Sequence, residues 1–402
     1  MTIKSKIFNN SLHLSAIKLF EILYPIILLP ILISAIGLER YGTYVFFFTI
    51  SQLLIILINF GFDEYLPPKI SRNLDVKKYI VDSVIIKLFV FMIALIIISV
   101  GFFFWREVHI YYFLAISFAE VFNLYWYFQG KQNFLYFTVA NFVSKLTVIL
   151  TILAFVTHPD DWLIIPIILS LVFISANFCL FIFVINKEKI KFKDFLISKF
   201  TVSKRITNIS LTNIFISLKD KMNVFFISTL LTNEILAIYD VLQKILILIQ
   251  QPVYIVQNAI FPEIAKAMTK SLLFKGLFVA LIYSLFIYLA IFVLSYLVID
   301  QMLPSFDDAL YPLLINNLSI FFYCIAFWIT KNVIIINSDY KVLFQTTILT
   351  TVFYFFCILV TTSLNYELSL ISFCIINLLV YMFEALTRIF VVMRRGYFEN
   401  YA

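Results

Sequence analysis

Stretches of about twenty mostly apolar residues recur along the whole chain. This constrains the fold more than any other feature, because each stretch, as a helix, spans a hydrocarbon core of about 30 Å. Twelve are expected: residues 12–36, 41–62, 81–105, 110–129, 134–157 and 162–186, then 206–232, 235–260, 272–299, 309–337, 341–363 and 368–392. Of 402 residues, 63% are apolar and 13% charged, against about a quarter charged in an ordinary soluble domain. A soluble fold is therefore excluded. Only 7 glycines and 10 prolines stand beside 47 Phe and 23 Tyr, which excludes collagen-like, low-complexity and disordered chains. The fold class that follows is an all-α, polytopic membrane protein.

Orientation follows from the basic residues, which are retained on the cytoplasmic side of short loops. With the N-terminus placed inside, twenty-one of the thirty Lys and Arg fall on cytoplasmic segments or the cytoplasmic ends of spans, and only Arg40 and Arg106 fall outside. The other seven lie within spans. A missed or spurious span would invert every later loop, so both termini are expected in the cytoplasm. The same distribution accounts for the net charge of +7 as a topology signal, and no nucleic-acid partner is expected. The first span is too long for a signal-peptide core, carries Lys18 and Glu21 and lacks a small-residue cleavage site, so it is expected to stay in the mature protein. Cys179, Cys324, Cys357 and Cys374 fall within spans without metal-ligand spacing and read as helix-packing residues. His13, His109 and His158 are scattered, so neither a metal site nor a catalytic constellation is expected.

The longest connection is the basic segment 187–205, with Lys187, Lys189, Lys191, Lys193, Lys199, Lys204 and Arg205. It divides the chain into six spans and six spans: residues 1–186, a cytoplasmic linker at 187–205 that also suits anionic headgroups, and 206–402. Each half begins and ends on one side of the membrane, so a repeat would be parallel, about an axis along the membrane normal. Paired bundles of this kind place a substrate path at their interface and belong to transporters. Pro25 and Pro30 in the first span and Pro252 in the eighth, with Pro262 near its end, are hinge candidates. Static bends are the alternative.

Charges inside the spans narrow the function. The bases are Lys18, Lys87, Lys145, Lys219, Lys221, Lys244 and Lys331, set against Glu21, Glu120, Asp220, Asp240 and Glu384. A charge at the bilayer centre costs about 2.5–3.5 kcal/mol, so these residues are expected to face a polar interior with a cationic excess. Lys87, Glu384 and Lys331 lie close enough to cytoplasmic ends to snorkel. Lys18 with Glu21, and Asp240 with Lys244, stand at helix-neighbour spacings. The triplet Lys219, Asp220 and Lys221 points in three directions, which suits a wide aqueous cavity. Glu120, Asn123 and Tyr127 share a helical face beside Trp126, a set that fits sugar contacts and equally a packed polar helix contact. A cationic interior in a low-dielectric wall attracts an anion such as a phosphate, so the expected cargo is anionic, large and amphipathic.

Residues 37–44, Gly-Leu-Glu-Arg-Tyr-Gly-Thr-Tyr, followed by Gly61-Phe62 and Arg72, and residues 125–134, Tyr-Trp-Tyr-Phe-Gln-Gly-Lys-Gln-Asn-Phe, carry a resemblance. So do Asp220-Lys221, Ile238-Tyr239 and Phe261-Pro262. Together they resemble the Wzx-type O-antigen flippases of the multidrug, oligosaccharidyl-lipid and polysaccharide (MOP) exporter superfamily, over nearly the whole chain. Gly37, Gly42, Gly61 and Gly130, four of the seven glycines, fall in these motifs. Asp240 departs from the family pattern, where a small or polar residue more often follows the tyrosine.

The resemblance implies two MATE-like six-helix bundles around a cationic cavity. It also implies alternating-access transfer of a polyprenyl-pyrophosphate-linked O-unit across the Gram-negative inner membrane, driven by a proton or sodium gradient without ATP or another cofactor. The O-antigen polymerase and chain-length regulator are the implied partners, beside lipid-linked oligosaccharide and membrane lipids. On this reading Lys145, Lys219, Lys221, Lys18 and Lys331 line the substrate path, Glu120 and Asp220, with Glu21 and Asp240, are coupling or cavity acids, and Asn123, Trp126 and Tyr127 contact sugar. The rivals are a multidrug exporter, which would want an acidic interior, and a polymerase or acyltransferase, which would want a long external loop. The longest external loop here is about residues 300–308.

Overall fold

The computed structural model describes residues 3–72, 75–105, 107–197, 204–267, 270–302, 309–337, 339–364 and 368–397. Among these residues the chain is helical and holds no strand. It forms two compact units, residues 1–217 and 218–402.

The first unit contains α1 (Ile3–Asn59), α2 (Phe62–Tyr65), α3 (Pro67–Ser71), α4 (Val76–Trp105), α5 (Ile110–Phe118), α6 (Tyr125–Gly130), α7 (Leu135–Phe155), α8 (Ile164–Glu188), α9 (Phe192–Ile197) and the start of α10 (Lys204–Leu230). The second contains the rest of α10, then α11 (Asn233–Ala267), α12 (Lys270–Met302), α13 (Leu310–Ile329), α14 (Tyr340–Ser363) and α15 (Leu370–Arg394). The units divide inside α10, later in the chain than the basic segment 187–205. The early turns of α10 belong with the first unit because Ile206 is buried in that unit's core and Asn213 donates to Glu64 at 3.2 Å.

Among the described residues nine helices are long and apolar enough to cross a membrane, where the sequence predicts twelve spans. Three segments account for the difference. The first two spans run together as α1, bent at Gly37, whose φ of 77° and ψ of 166° interrupt the helix. A residue with a side chain resists that φ, so a glycine is where the bend forms. Residues 110–129 are broken into α5, a 3₁₀ turn at Ala119–Phe122 and α6. The third segment, α10, has the length but carries Lys204, Arg205, Lys219, Asp220 and Lys221. Pro25 and Pro30 lie inside α1 without ending it, and Pro252 lies inside the uninterrupted α11. The one non-helical break within α1 is therefore at Gly37 and not at the prolines.

Each unit has its own core. In the first, Ile58, Phe62, Leu66 and Ile70 pack with Trp126, Tyr127 and Phe128. Gly130 lets α3 approach α6, since a Cβ there would sit 2.5 Å from Ile70 Cβ and 3.0 Å from the Pro67 carbonyl oxygen. In the second, Leu246, Val253, Ile320, Cys324 and Trp328 form the centre. Phe89 and Ile97 on α4, Phe286 on α12 and Phe356 on α14 point outward; lipid, not water, suits such faces. Cys324 and Cys374 are core residues, whereas Cys179 is exposed and does not pack between helices.

Candidate functional site

The break after α5 builds the polar centre of the first unit. Asn123 is extended (φ −71°, ψ 117°), and its Oδ1 accepts from the Tyr125 amide at 3.0 Å, which starts α6. Lys87, on α4, donates to the Glu120 carbonyl at 3.1 Å, which also accepts from the Asn123 amide, and to the Asn123 carbonyl at 2.8 Å, where the helix has ended. The same ammonium lies 2.7 Å from Glu120 Oε1, with the Lys87 side chain fully buried and the Glu120 side chain 7% exposed. Lys87 therefore does not snorkel; it reaches inward because three oxygens wait for it.

Glu120 is fully engaged. Its Oε1 also accepts from Asn59 Nδ2 at 2.9 Å and its Oε2 from Asn123 Nδ2 at 2.8 Å. The Asn59 amide nitrogen also donates to Asp63 Oδ2 at 2.9 Å, so one amide joins two carboxyl groups. Asp63 Oδ1 is buried with no hydrogen-bond partner. Asp63 sits on α2, beyond the end of the span Leu23–Asn59. Burial, reinforced by the nearby Glu120 carboxylate and opposed by Lys87, pushes its carboxyl up to about 7.

Beside this network lies a cavity of about 380 Å³, whose walls include Glu21, Asp63, Asn123, Asn141, Ser144 and Lys145. The Lys145 ammonium stands 5.7 Å from the Tyr24 ring centre. Of the residues expected at a site in this half, Glu21, Asn123 and Lys145 reach the cavity together, while Glu120 stands behind its wall. Trp126 and Tyr127 do not reach it. Both are core residues, 0% and 1% exposed, and the Tyr127 hydroxyl donates to Glu188 at 2.5 Å. The helical face proposed for Glu120, Asn123 and Tyr127 does not exist, because the helix ends between them. The Lys18 side chain lies outside the described residues.

The second unit has a separate charged cluster. Lys219 lies 2.6 Å from Glu384 Oε2 and 3.5 Å from Asp220, and Arg388 lies 2.5 Å from Glu384 Oε1. Arg388 also donates to the Ala326 carbonyl at 3.2 Å. Glu384 and Arg388 are buried, which corrects the expectation that Glu384 snorkels to a cytoplasmic end. Asp220 is the open member, its side chain 45% exposed. Asp240 and Lys244 form the i,i+4 pair expected from their spacing, at 2.5 Å. Lys221 is half-buried. Lys331 lies in a π-helical turn, Thr330–Ile335, with its ammonium 5.6 Å from the Tyr254 ring centre and 5.9 Å from that of Phe327. Deeper in the unit, Asn223 accepts from the Tyr354 hydroxyl at 2.7 Å and donates to that of Tyr239 at 2.6 Å.

Sequence reasoning missed Asp63, Asn59 and Asn141, and it undervalued Lys87, Glu384 and Arg388. Asp82, buried near the start of α4, is a further acid within the third span, and Arg388, buried within the last, a further base. The spacing of Asn59 and Asp63, one helical turn apart, was the available signal for their bond. Among the described residues no group of three His, Cys, Asp or Glu is placed to hold a metal ion.

The profile of the polysaccharide biosynthesis protein family matches residues 7–268. The chain belongs to that family. None of the curated proteins compared with it matches. Solved structures share its fold. An inward-facing multidrug resistance MATE family transporter of the MOP superfamily is similar with a TM-score of 0.72 at 14% identity, covering 94% of this chain and 95% of that one. The outward-facing form of such a transporter gives 0.66 at 14%, over 98% and 96%. The lipid II flippase MurJ, in an inward closed conformation, gives 0.67 at 11%, over 98% and 90%. This polysaccharide biosynthesis family member thus has an all-α membrane fold of about twelve membrane helices.

Proposed function

We propose that the protein is a flippase that carries polyprenyl-pyrophosphate-linked O-antigen repeat units from the cytoplasmic to the periplasmic leaflet of a Gram-negative inner membrane. The observation that carries this reading is the family match over residues 7–268, which ties a membrane chain to polysaccharide assembly. The fold is shared with a lipid II flippase as well as with multidrug transporters, so a lipid-linked cargo is compatible with it. The mechanism is alternating access driven by a proton or sodium gradient, with both termini in the cytoplasm as the Lys and Arg distribution requires. The units then pass to the polymerase and chain-length regulator that build the polymer.

Within this reading the bases divide by how they are held. Lys219 is committed to Glu384 and Asp220; the substrate-path reading then falls to Lys221 and Lys331 within the second unit and, taken separately, to Lys145 within the first, with Lys18 on its sequence position alone. Among the acids, Glu120 has every nearby donor taken, whereas Glu21, Asp220 and Asp240 are at least partly accessible, and they are the coupling candidates. The test is a leaflet-resolved measurement of lipid-linked O-units in a strain lacking the gene. Accumulation on the cytoplasmic side, reversed by the wild-type gene, is expected. Export of single unpolymerised units would indicate a polymerase, and unchanged lipid-linked pools with lost drug resistance would indicate a drug exporter; either result overturns the flippase.

A further inference from the structure

The short helix α9 turns one side inward and leaves the other uncovered. Ile190, just before it, is buried in the core of the first unit, and Phe195 packs against that core. Phe192, at its start, is 79% exposed. A single exposed ring is ordinary on its own; its surroundings distinguish this one.

Exposed lysines stand around it. Lys191 and Lys193 flank Phe192 in the chain, Lys187 and Lys189 bracket the end of α8, and Lys77 and Lys78 lie in the first turn of α4, which packs against α9. The Lys77 ammonium donates to the Lys189 carbonyl at 3.4 Å, which brings the ends of α4 and α8 together and leaves two of its three protons for other acceptors. Three carboxylates on these segments, Asp75, Glu188 and Asp194, stand against the six ammonium groups. Two of them are already engaged, Glu188 by the Tyr127 hydroxyl at 2.5 Å and Asp194 by the Lys191 amide at 2.8 Å. The patch is cationic with an apolar centre.

Depth selects its partner. Glu188 is the last residue of the span Pro159–Glu188, and Val76 is the first of the span Val76–Gly101. Side chains at that level meet phospholipid headgroups before anything dissolved in water. A ring among lysines matches this layer, in which the ring enters the acyl boundary while the ammonium groups hold phosphates. We propose that α9, with the adjoining ends of α4 and α8, is a docking surface for anionic phospholipid, with Phe192 inserted and Lys77, Lys189, Lys191 and Lys193 on the headgroups. The composition of 187–205 suits anionic headgroups along its whole length; the geometry adds the lysines of α4 and singles out Phe192 as the side chain that inserts. This surface is independent of the cargo, and so of the flippase reading.

Native mass spectrometry of the full chain in detergent tests this, with phosphatidylglycerol and phosphatidylcholine of identical acyl chains as probes. Phosphatidylglycerol is expected to bind about ten-fold more tightly or better. Lys77→Gln and Lys191→Gln are each expected to weaken its binding about five-fold, the factor for one lysine at an anionic surface. Lys341→Gln, which removes an exposed lysine of the second unit, is expected to leave it unchanged. Phe192→Ser is expected to weaken both lipids several-fold. These side chains are exposed, so thermal unfolding is expected to stay the same; should one variant fail to fold, the others decide. Equal binding of the two lipids, unchanged affinity in the folded lysine variants, or an equal loss with Lys341→Gln overturns the surface. Soluble poly-glutamate that binds as tightly as phosphatidylglycerol, and is lost in the lysine variants but not in Phe192→Ser, indicates an acidic protein partner and also overturns it.

Discussion

Lys87 and Glu120 meet at 2.7 Å in the interior of the first unit, with two backbone carbonyls and two amides completing their shells. The pair joins α4 to the point where the chain leaves α5, and so fixes where α6 and its signature residues begin. Removing one partner leaves an uncompensated charge away from water. Lys87→Met is expected to cost about 3–5 kcal/mol, and Glu120→Gln a similar amount. The double variant is expected to be more stable than the sum of the two losses, because neither charge is then left alone. Denaturant unfolding of the four proteins in detergent checks this; additive losses would show that the pair is not coupled.

Asp63 gives the first unit a pH dependence. Its carboxyl is raised to about 7 from an ordinary 3.8, so between these values the folded protein holds a proton that the unfolded chain releases. Proton excess in the folded state makes stability fall as pH rises through this window, by up to about 1.4 kcal/mol per pH unit, and level off above 7. Asp63→Asn is expected to flatten this part of the profile. Thermal unfolding of both proteins from pH 5 to pH 8 measures the difference; parallel profiles would mean that Asp63 is ionised throughout.

What the sequence made legible depended on repetition. Twelve apolar stretches could be read because each spans the same thickness, and the charge asymmetry of short loops constrained them jointly. Contacts made across the fold were less legible. Lys87 and Glu384 look like snorkelling residues by depth alone, and only their partners, Glu120 in one unit and Lys219 with Arg388 in the other, show them to be interior. The segment holding Glu120, Asn123, Trp126 and Tyr127 looked like a sugar platform because aromatic rings serve both cores and glycans. Its Trp126 and Tyr127 turned inward because Asn123 ends the helix before them, a break that a helical-wheel argument across 110–129 could not include. Asp63 lies one residue past the predicted span 41–62, where a charge carries no bilayer penalty and so no signal of its partners.

Gly130 carries a prediction about close packing. The nearest atom to an added Cβ is the Ile70 Cβ at 2.5 Å, with the Pro67 carbonyl oxygen at 3.0 Å. Gly130→Ala is therefore expected to separate α3 from α6 and to cost about 1–3 kcal/mol. Because the clash is with a Cβ and a backbone oxygen, trimming the neighbour by Ile70→Ala is not expected to rescue it. Recovery of wild-type thermal stability in the Gly130→Ala, Ile70→Ala double variant would contradict this geometry.

The charged cluster of the second unit separates two acids that look alike in sequence. Glu384 is buried between Lys219 at 2.6 Å and Arg388 at 2.5 Å, so Glu384→Gln strands two cations and is expected to cost about 3–5 kcal/mol. Asp220 reaches Lys219 only at 3.5 Å with 45% of its side chain exposed, and water screens what it contributes. Asp220→Asn is expected to cost less than about 1 kcal/mol. Any loss of transport in that variant would then report on function and not on folding. Measuring unfolding and leaflet transfer side by side distinguishes the two acids. Equal destabilisation by both substitutions would mean that Asp220 is as deeply committed to Lys219 as Glu384 is.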